Sequence, residues 1–477
     1  MSYDVDLAII GGGSAGLLAA EIAPKMGVKT VLIERSRLGG DCLWTGCVPS
    51  KALLASAKAA DVIRHADRYG LPATDIDIDT AVVWQRLRAL RDAIAESDDN
   101  PEKYRGLGVD VVFGDASFVD EHTIAVGERR LTARFILVCT GSRPAAPPIP
   151  GLEEIGYLTS ETVFELERAP ASLVIVGAGP IGVEIAQAMA RLGVATTCAL
   201  EQAPEILGRE EPLMFEDLCL VLENDGVDLY VNVELERAEL GEGGKVLSGK
   251  VGGEARRWAA EEVFIAAGRK ANIESLQLEQ AGVETGPRGI AIDSKMRTNV
   301  KSVYAAGDCA GRFLFTHSAG SEAAIALRNM FYPGSSSATD VIPWATFTDP
   351  ELAHVGLTSA EAREQLGADR VRVFEHSFAD SDRARTDSAT VGKAVVITDS
   401  SYRILGAHIL APAASEMIGQ FTMAIARGAR LTPEFRDLVQ VYPTFSSTFA
   451  RLASEAAFEQ LESPLFRVLR RVNNAFG

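Results

Sequence analysis

Two cysteines, Cys42 and Cys47, lie in the run Gly39-Gly40-Asp41-Cys42-Leu43-Trp44-Thr45-Gly46-Cys47-Val48-Pro49-Ser50-Lys51. Thiols with four residues between them can close a disulfide across one helical turn, and the glycine before the second lets the backbone approach a flat cofactor. The chemistry such a pair offers is redox chemistry. A zinc site normally takes a closer pair and a second Cys or His pair, and the sequence has neither. The other cysteines, Cys139, Cys198, Cys219 and Cys309, are scattered singly in apolar or turn contexts and read as small hydrophobes. The chain opens Met1-Ser2-Tyr3-Asp4-Val5-Asp6 and runs into a strand with no basic, apolar leader, so the expected compartment is the cytoplasm. There a surviving cysteine pair is more often catalytic than structural.

The elements that must position this pair are nucleotide-binding ones. The segment Asp6–Ile10 reads as a buried parallel strand that feeds Gly11-Gly12-Gly13-Ser14-Ala15-Gly16 and a helical stretch from Leu17 to Met26. Glycines at 11, 13 and 16 allow a tight turn, close approach of a pyrophosphate, and close packing of helix on strand. A second strand, Lys29–Ile33, ends at Glu34, where a ribose hydroxyl needs an acceptor. The arrangement returns at Leu173–Val176 with Gly177, Gly179 and Gly182, and its second strand, Ala195–Leu200, ends at Glu201. A carboxylate there holds a free 2′-hydroxyl and repels a 2′-phosphate, so NAD is expected as cofactor ahead of NADP.

The 477 residues suggest about three domains at roughly 150 residues each. The net charge of −18 argues against a nucleic-acid partner. No run reaches the roughly 18 apolar residues of a membrane span. Two dinucleotide folds beside a cysteine pair suggest a path from nicotinamide through a flavin to a disulfide, because a hydride's two electrons must be passed on to sulfur.

These motifs, together with Cys139-Thr140-Gly141-Ser142-Arg143-Pro144, Ala266-Ala267-Gly268-Arg269, Val303-Tyr304-Ala305-Ala306-Gly307-Asp308 and Phe347-Thr348-Asp349-Pro350-Glu351-Leu352-Ala353-His354-Val355-Gly356, make the chain resemble the flavoprotein disulfide reductases. That family includes dihydrolipoamide dehydrogenase, glutathione reductase and mercuric reductase. The resemblance implies an α/β fold with two Rossmann-like dinucleotide-binding domains, the NAD domain inserted in the FAD domain, and a C-terminal α+β dimerisation domain. The expected spans are 1–148 and 272–342 for FAD, 149–271 for NAD(P), and 343–477 for the interface, with a homodimer as the assembly. Cys47 is implied as the thiol next to the flavin and Cys42 as the outer thiol that attacks substrate. Lys51 is implied near the flavin with Glu184 as counter-charge. Thr140, Gly141 and Asp308 are implied at the FAD, with Gly40 of the cysteine segment and Gly268 of the return crossing.

The sequence departs from the family at Tyr442, in Val439-Gln440-Val441-Tyr442-Pro443-Thr444-Phe445-Ser446-Ser447, where thiol-substrate members place a histidine. Tyrosine, with an ordinary pKa of about 10 against about 6.5 for histidine, is the poorer proton shuttle at neutral pH. Mercuric reductases resemble this chain in having a tyrosine there, although they carry a C-terminal vicinal cysteine pair that this chain lacks. The expected acceptor is therefore a disulfide or a soft metal such as mercury(II). The alternative is a diaphorase that sends electrons from flavin to a quinone or a protein partner, which Pro180 favours by standing where many relatives place a gating tyrosine. Trp44 is expected to crowd or stack on an acceptor, and His317 to belong to the scaffold under the flavin as a capping residue. The basic, amphipathic stretch 465–472 is expected as a helix packed on its own dimer, with docking on a partner as the alternative.

Overall fold

A computed structural model describes residues 3–462, so the basic stretch 465–472 lies outside the described residues. The strand Val5–Ile10 is buried and lies between Thr30–Glu34 and Arg129–Val138 in parallel register. Asp110–Phe113 extends the sheet on one side. Two antiparallel strands, Ala116–Phe118 and Thr123–Val126, fold back on the early part of Arg129–Val138. Val303–Ala305, from far along the chain, pairs in parallel with the end of that same strand. The chain thus leaves the first sheet, builds a second one, and returns, as the insertion requires.

The second sheet has four parallel strands in the order Val227–Tyr230, Thr196–Leu200, Ser172–Val176 and Glu262–Ile265. The two crossings between sheets, Ser142–Pro144 and Arg269–Ala271, pair antiparallel with each other. A five-stranded antiparallel sheet follows, in the order Trp344–Thr346, Glu351–Gly356, Ile404–Ala411, Lys393–Asp399 and Val371–Ser377. The helices Ala414–Arg427 and Thr448–Leu461 bury Phe421, Phe449 and Leu452 against it.

Two helix pairings set the site. Ser14–Lys25, rich in alanine, packs on Thr316–Phe331, because small side chains such as Ala19, Ala20, Ala23, Ala323 and Ala326 let the axes come close. Cys47–Arg64 packs on Pro180–Arg191, joining the cysteine segment to the second sheet. Arg191, buried, meets Asp225 at the end of the helix Phe215–Asn224 at 3.0 Å and ties this junction to the third sheet through Asp349 at 2.8 Å. No helix among the described residues is long and apolar enough to cross a membrane.

Candidate active site

The two glycine loops are built alike. A Cβ on Gly16 would come 1.9 Å from the Gly11 carbonyl oxygen, and one on Gly182 would come 1.9 Å from that of Gly177, so both helices rest directly on their strands. Neither helix has a side-chain cap at Gly13 or Gly179, which leaves first-turn amides free for an anion. Space beside Gly179 is open, whereas Gly13 faces Gly40, whose added Cβ would lie 2.6 Å from the Gly13 Cα. Glu34 accepts from the Gly12 N–H at 2.7 Å, and Glu201 accepts from the Ala178 N–H at 2.8 Å. Each carboxylate is held at its strand end beside its loop, where the sequence expects a ribose.

A cleft of about 810 Å³ runs from the first loop past both cysteines to Lys51, Thr140, Gly141 and Asp308. Its walls fit FAD. The Thr140 Oγ1 is buried without a partner, the Gly13 loop offers amides, and Asp308 is half-buried with one oxygen held by the Ser142 hydroxyl at 2.5 Å. Burial raises the Asp308 carboxyl above its ordinary value. Gly268 stands at the return crossing, where its carbonyl accepts from the Ala145 N–H at 3.0 Å.

The cysteines do not share one helical turn as their spacing suggested. Gly40–Trp44 is a short helix that stops at Thr45, and a new helix starts at Cys47. Gly46 at the break has its Cα packed against Asp41, whose carbonyl oxygen would be 3.0 Å from an added Cβ. The two residues stand as free thiols that influence each other's ionisation, and the Cys47 sulfur lies 3.5 Å from the Thr316 hydroxyl. Cys42 is the largest influence lowering the Cys47 thiol to about 6, helped by the Thr316 hydroxyl and the Lys51 charge. Cys47, with burial, raises Cys42 in turn. Cys47 also opens an 18-residue helix, whose N-terminal partial positive charge favours a thiolate. One proton is thus held on the outer sulfur and the charge on the inner one.

Lys51, one turn beyond Cys47, meets Glu184 of the helix Pro180–Arg191 at 2.8 Å. Its ammonium also lies 4.2 Å from the centroid of the Phe347 ring, and the Phe347 N–H donates to the other Glu184 oxygen at 2.8 Å. Three parts of the chain therefore converge on one ion pair. Glu184 keeps 7% of its side chain exposed and Lys51 37%, so the carboxylate is the partner that cannot turn to water. Lys51→Met is expected to lower stability by about 1–3 kcal/mol, read from the urea midpoint, because it strands the carboxylate. Lys51→Met with Glu184→Leu should recover part of that loss; a double variant no more stable than the single would refute the pairing.

Several contacts were not anticipated from the sequence. Arg269 reaches Asp41 at 3.0 Å and takes the Ser142 hydroxyl oxygen at 2.8 Å, so the return crossing grips the cysteine helix. Trp44 is not left free to stack on an acceptor. Its indole N–H donates to the Leu38 carbonyl at 2.6 Å, and Arg37 and Arg91 cover its ring at 3.6 and 5.2 Å. His317 is not a cap: Phe315 holds that position, while His317 donates to the Pro343 carbonyl at 2.8 Å and stacks on Phe315. Pro180 lines the cleft as the first residue of its helix. Tyr442 is 69% exposed and away from the cleft within the chain, donating to Asp382 at 2.7 Å. That bond raises its phenol above the ordinary value. A pattern of residues near in sequence, such as Phe315-Thr316-His317, signals a helix start, but nothing in it points Thr316 at Cys47.

Residues 5–323 match the family described as pyridine nucleotide-disulphide oxidoreductase, and residues 342–453 match its dimerisation domain. A dihydrolipoyl dehydrogenase of Bacillus subtilis is 34% identical over 461 residues, spanning 93% of this chain and 96% of its own. A mercuric reductase of Bacillus cereus is 32% identical over 452 residues, spanning 93% of this chain and 70% of its own. Among solved structures, the HOCl-induced flavoprotein disulfide reductase RclA from Escherichia coli aligns with a TM-score of 0.82 at 28% identity, covering 94% of this chain and 99% of that one. The Cu(II) complex of RclA aligns at 0.83 and 29%, covering 95% and 100%. Two glycine loops, a cysteine pair between them and a third, dimerisation sheet thus carry the whole pattern, and the chain belongs to the pyridine nucleotide-disulphide oxidoreductases, enzymes that work with FAD and NAD(P)H.

Proposed function

We propose that this enzyme takes electrons from NADH, passes them to the Cys42–Cys47 pair, and delivers them to a disulfide or a soft-metal acceptor such as mercury(II). The observation that carries the reading is the cysteine pair lining the FAD-sized cleft, one turn from the Lys51–Glu184 ion pair; this setting favours the thiolate on Cys47 and the proton on Cys42. Bound FAD supplies the exchange between a hydride and the electrons a disulfide accepts. The residues of the chain do the rest. Glu201, with both oxygens held by backbone amides, receives a ribose with a free 2′-hydroxyl and so selects NADH. Cys42, once deprotonated, attacks one sulfur of a substrate disulfide; that S–S bond breaks and one substrate thiol leaves with a proton. Cys47 then attacks the Cys42 sulfur, re-forming the Cys42–Cys47 disulfide and releasing the second substrate thiol. A soft metal such as mercury(II) instead displaces the protons and binds both thiolates; two electrons then pass from the sulfurs to the metal, which leaves as the element while the Cys42–Cys47 disulfide re-forms.

The metal arm is supported by the relatives named mercuric reductase and by the Cu(II) complex of RclA. We place Tyr442 of the partner subunit at the outer thiol of a homodimer. A phenol raised by Asp382 stays protonated at neutral pH and has no vacant site to take a thiol's proton, which disfavours substrates that need a proton shuttle and leaves metals unaffected. The same reading keeps the enzyme in the cytoplasm, where thiols stay reduced. It divides the chain at 148/149, 271/272 and 342/343.

Anaerobic titration of the purified holoenzyme with NADH tests this. A long-wavelength thiolate–flavin band at two electrons per flavin is expected, fading as pH falls through about 6, where Cys47 takes up its proton. Direct bleaching without the band would remove the cysteines from the path and leave the diaphorase reading, with a quinone or protein acceptor.

A further inference from the structure

Trp344, His354 and His408 stand side by side across three neighbouring strands, paired Trp344 to His354 and His354 to His408. The indole stacks on the His354 ring at 3.9 Å between centroids, and the two imidazoles meet edge to face at 4.4 Å. Glu210 enters from the segment between the strand Thr196–Leu200 and the helix Phe215–Asn224. All three of Glu210, His354 and His408 are buried.

The hydrogen bonds fix the tautomers. His354 Nε2 faces the Gly356 carbonyl at 2.9 Å, and His408 Nε2 faces the Leu357 carbonyl at 3.1 Å. A carbonyl only accepts, so both rings donate through Nε2 and turn Nδ1 toward the cluster. The His354 Nδ1 lies 3.1 Å from Glu210 Oε2, a pair that can share one proton or give both atoms to a metal ion. The His408 Nδ1 is buried with no partner at all. The other Glu210 oxygen takes the Trp344 indole N–H at 2.7 Å, which orients the carboxylate. Two imidazoles that each donate their remote N–H to a backbone carbonyl, around an oriented carboxylate, have the outer support that metal ligands require.

We propose that Glu210, His354 and His408 form a buried site for a borderline divalent transition ion, represented by zinc(II). The ligand atoms lie within 4.8 Å of one another. Closing on an ion with bonds of about 2.0–2.1 Å asks each side chain to move by less than about 1 Å. The nitrogen and oxygen donors suit such an ion and not a soft one, so this site is chemically distinct from the thiol pair. It joins Glu210, which follows a strand of the second sheet, to two strands of the third, and Trp344, which also lines the large cleft, is the partition between them.

The test uses FAD-loaded Cys42→Ser/Cys47→Ser protein, in which the cleft pair cannot hold the ion. After EDTA treatment, zinc(II) loading and dialysis, one zinc per chain is expected by mass spectrometry. Its K-edge spectrum should show imidazole and oxygen donors at about 2.0–2.1 Å and no sulfur. Adding His408→Gln should abolish retention while flavin content and the far-ultraviolet spectrum are kept. Trp344→Phe, which removes only the support of Glu210, should weaken zinc affinity by about 10–100-fold in chelator competition, and it decides the matter if the His408 variant does not fold. A folded Cys42→Ser/Cys47→Ser protein that retains no zinc overturns the proposal, and a single proton shared by Glu210 and His354 is then what the cluster holds. Retention unchanged by both the His408 and Trp344 substitutions overturns it equally.

Discussion

Cys42→Ser should abolish turnover with disulfide and soft-metal acceptors, by about 10³-fold or more, while leaving the flavin bound and reducible by NADH. Cys42 lines the cleft in a short helix and holds the proton of the pair, so it is the sulfur free to change partners. Serine keeps the shape but cannot form a sulfur–sulfur bond. Steady-state assays with a panel of disulfides, mercury(II) and quinones read the result. Retention of full activity with every acceptor would end the dithiol reading. Loss with disulfides and metals but survival with quinones would show two exits for the electrons, one through sulfur and one from the flavin.

The second large effect belongs to the glycines that carry helix on strand. Gly182→Ala puts a methyl carbon 1.9 Å from the Gly177 carbonyl oxygen, a distance no real contact allows, so the helix must move off its strand. A misplacement of about 1 Å at a positioning element can cost about 10²-fold, and KM for NADH should rise by that order with flavin content unchanged. Gly16→Ala has the same collision with Gly11 and should yield protein without flavin that still binds NADH in calorimetry. The crossed outcome is the content of the prediction. If Gly182→Ala lost flavin and kept its NADH kinetics, the assignment of the two loops would be reversed.

Features written into short stretches of chain are legible in the amino-acid sequence alone. Gly16 and Gly182 are forced by contacts with the Gly11 and Gly177 carbonyls within one strand–loop–helix unit, so their spacing carries the geometry. Glu34 and Glu201 follow for the same reason. The Lys51–Glu184 pair spans 133 residues and is legible only through resemblance to a family. What stays hidden depends on pairings with no local trace. Arg269 and Asp41 meet across 228 residues, and Glu210, His354 and His408 come together only when a five-stranded sheet docks on a parallel one. The break between the cysteines is hidden differently. Thr45 and Gly46 read as tolerable within a helix, and it is the close fit of Gly46 on Asp41 that stops the first helix and starts the next.

That break separates two duties. Cys47 belongs to an 18-residue helix packed between the helices Thr80–Ser97 and Pro180–Arg191 and tied to the latter by the ion pair with Glu184, while Cys42 rides on five residues held at their ends by Asp41 on Arg269 and by Trp44. A sulfur that trades electrons with a ring must keep its seat; a sulfur that greets successive visitors must leave its own. One anchor and one tether, set end to end, let the same two atoms do both without the rest of the molecule having to follow.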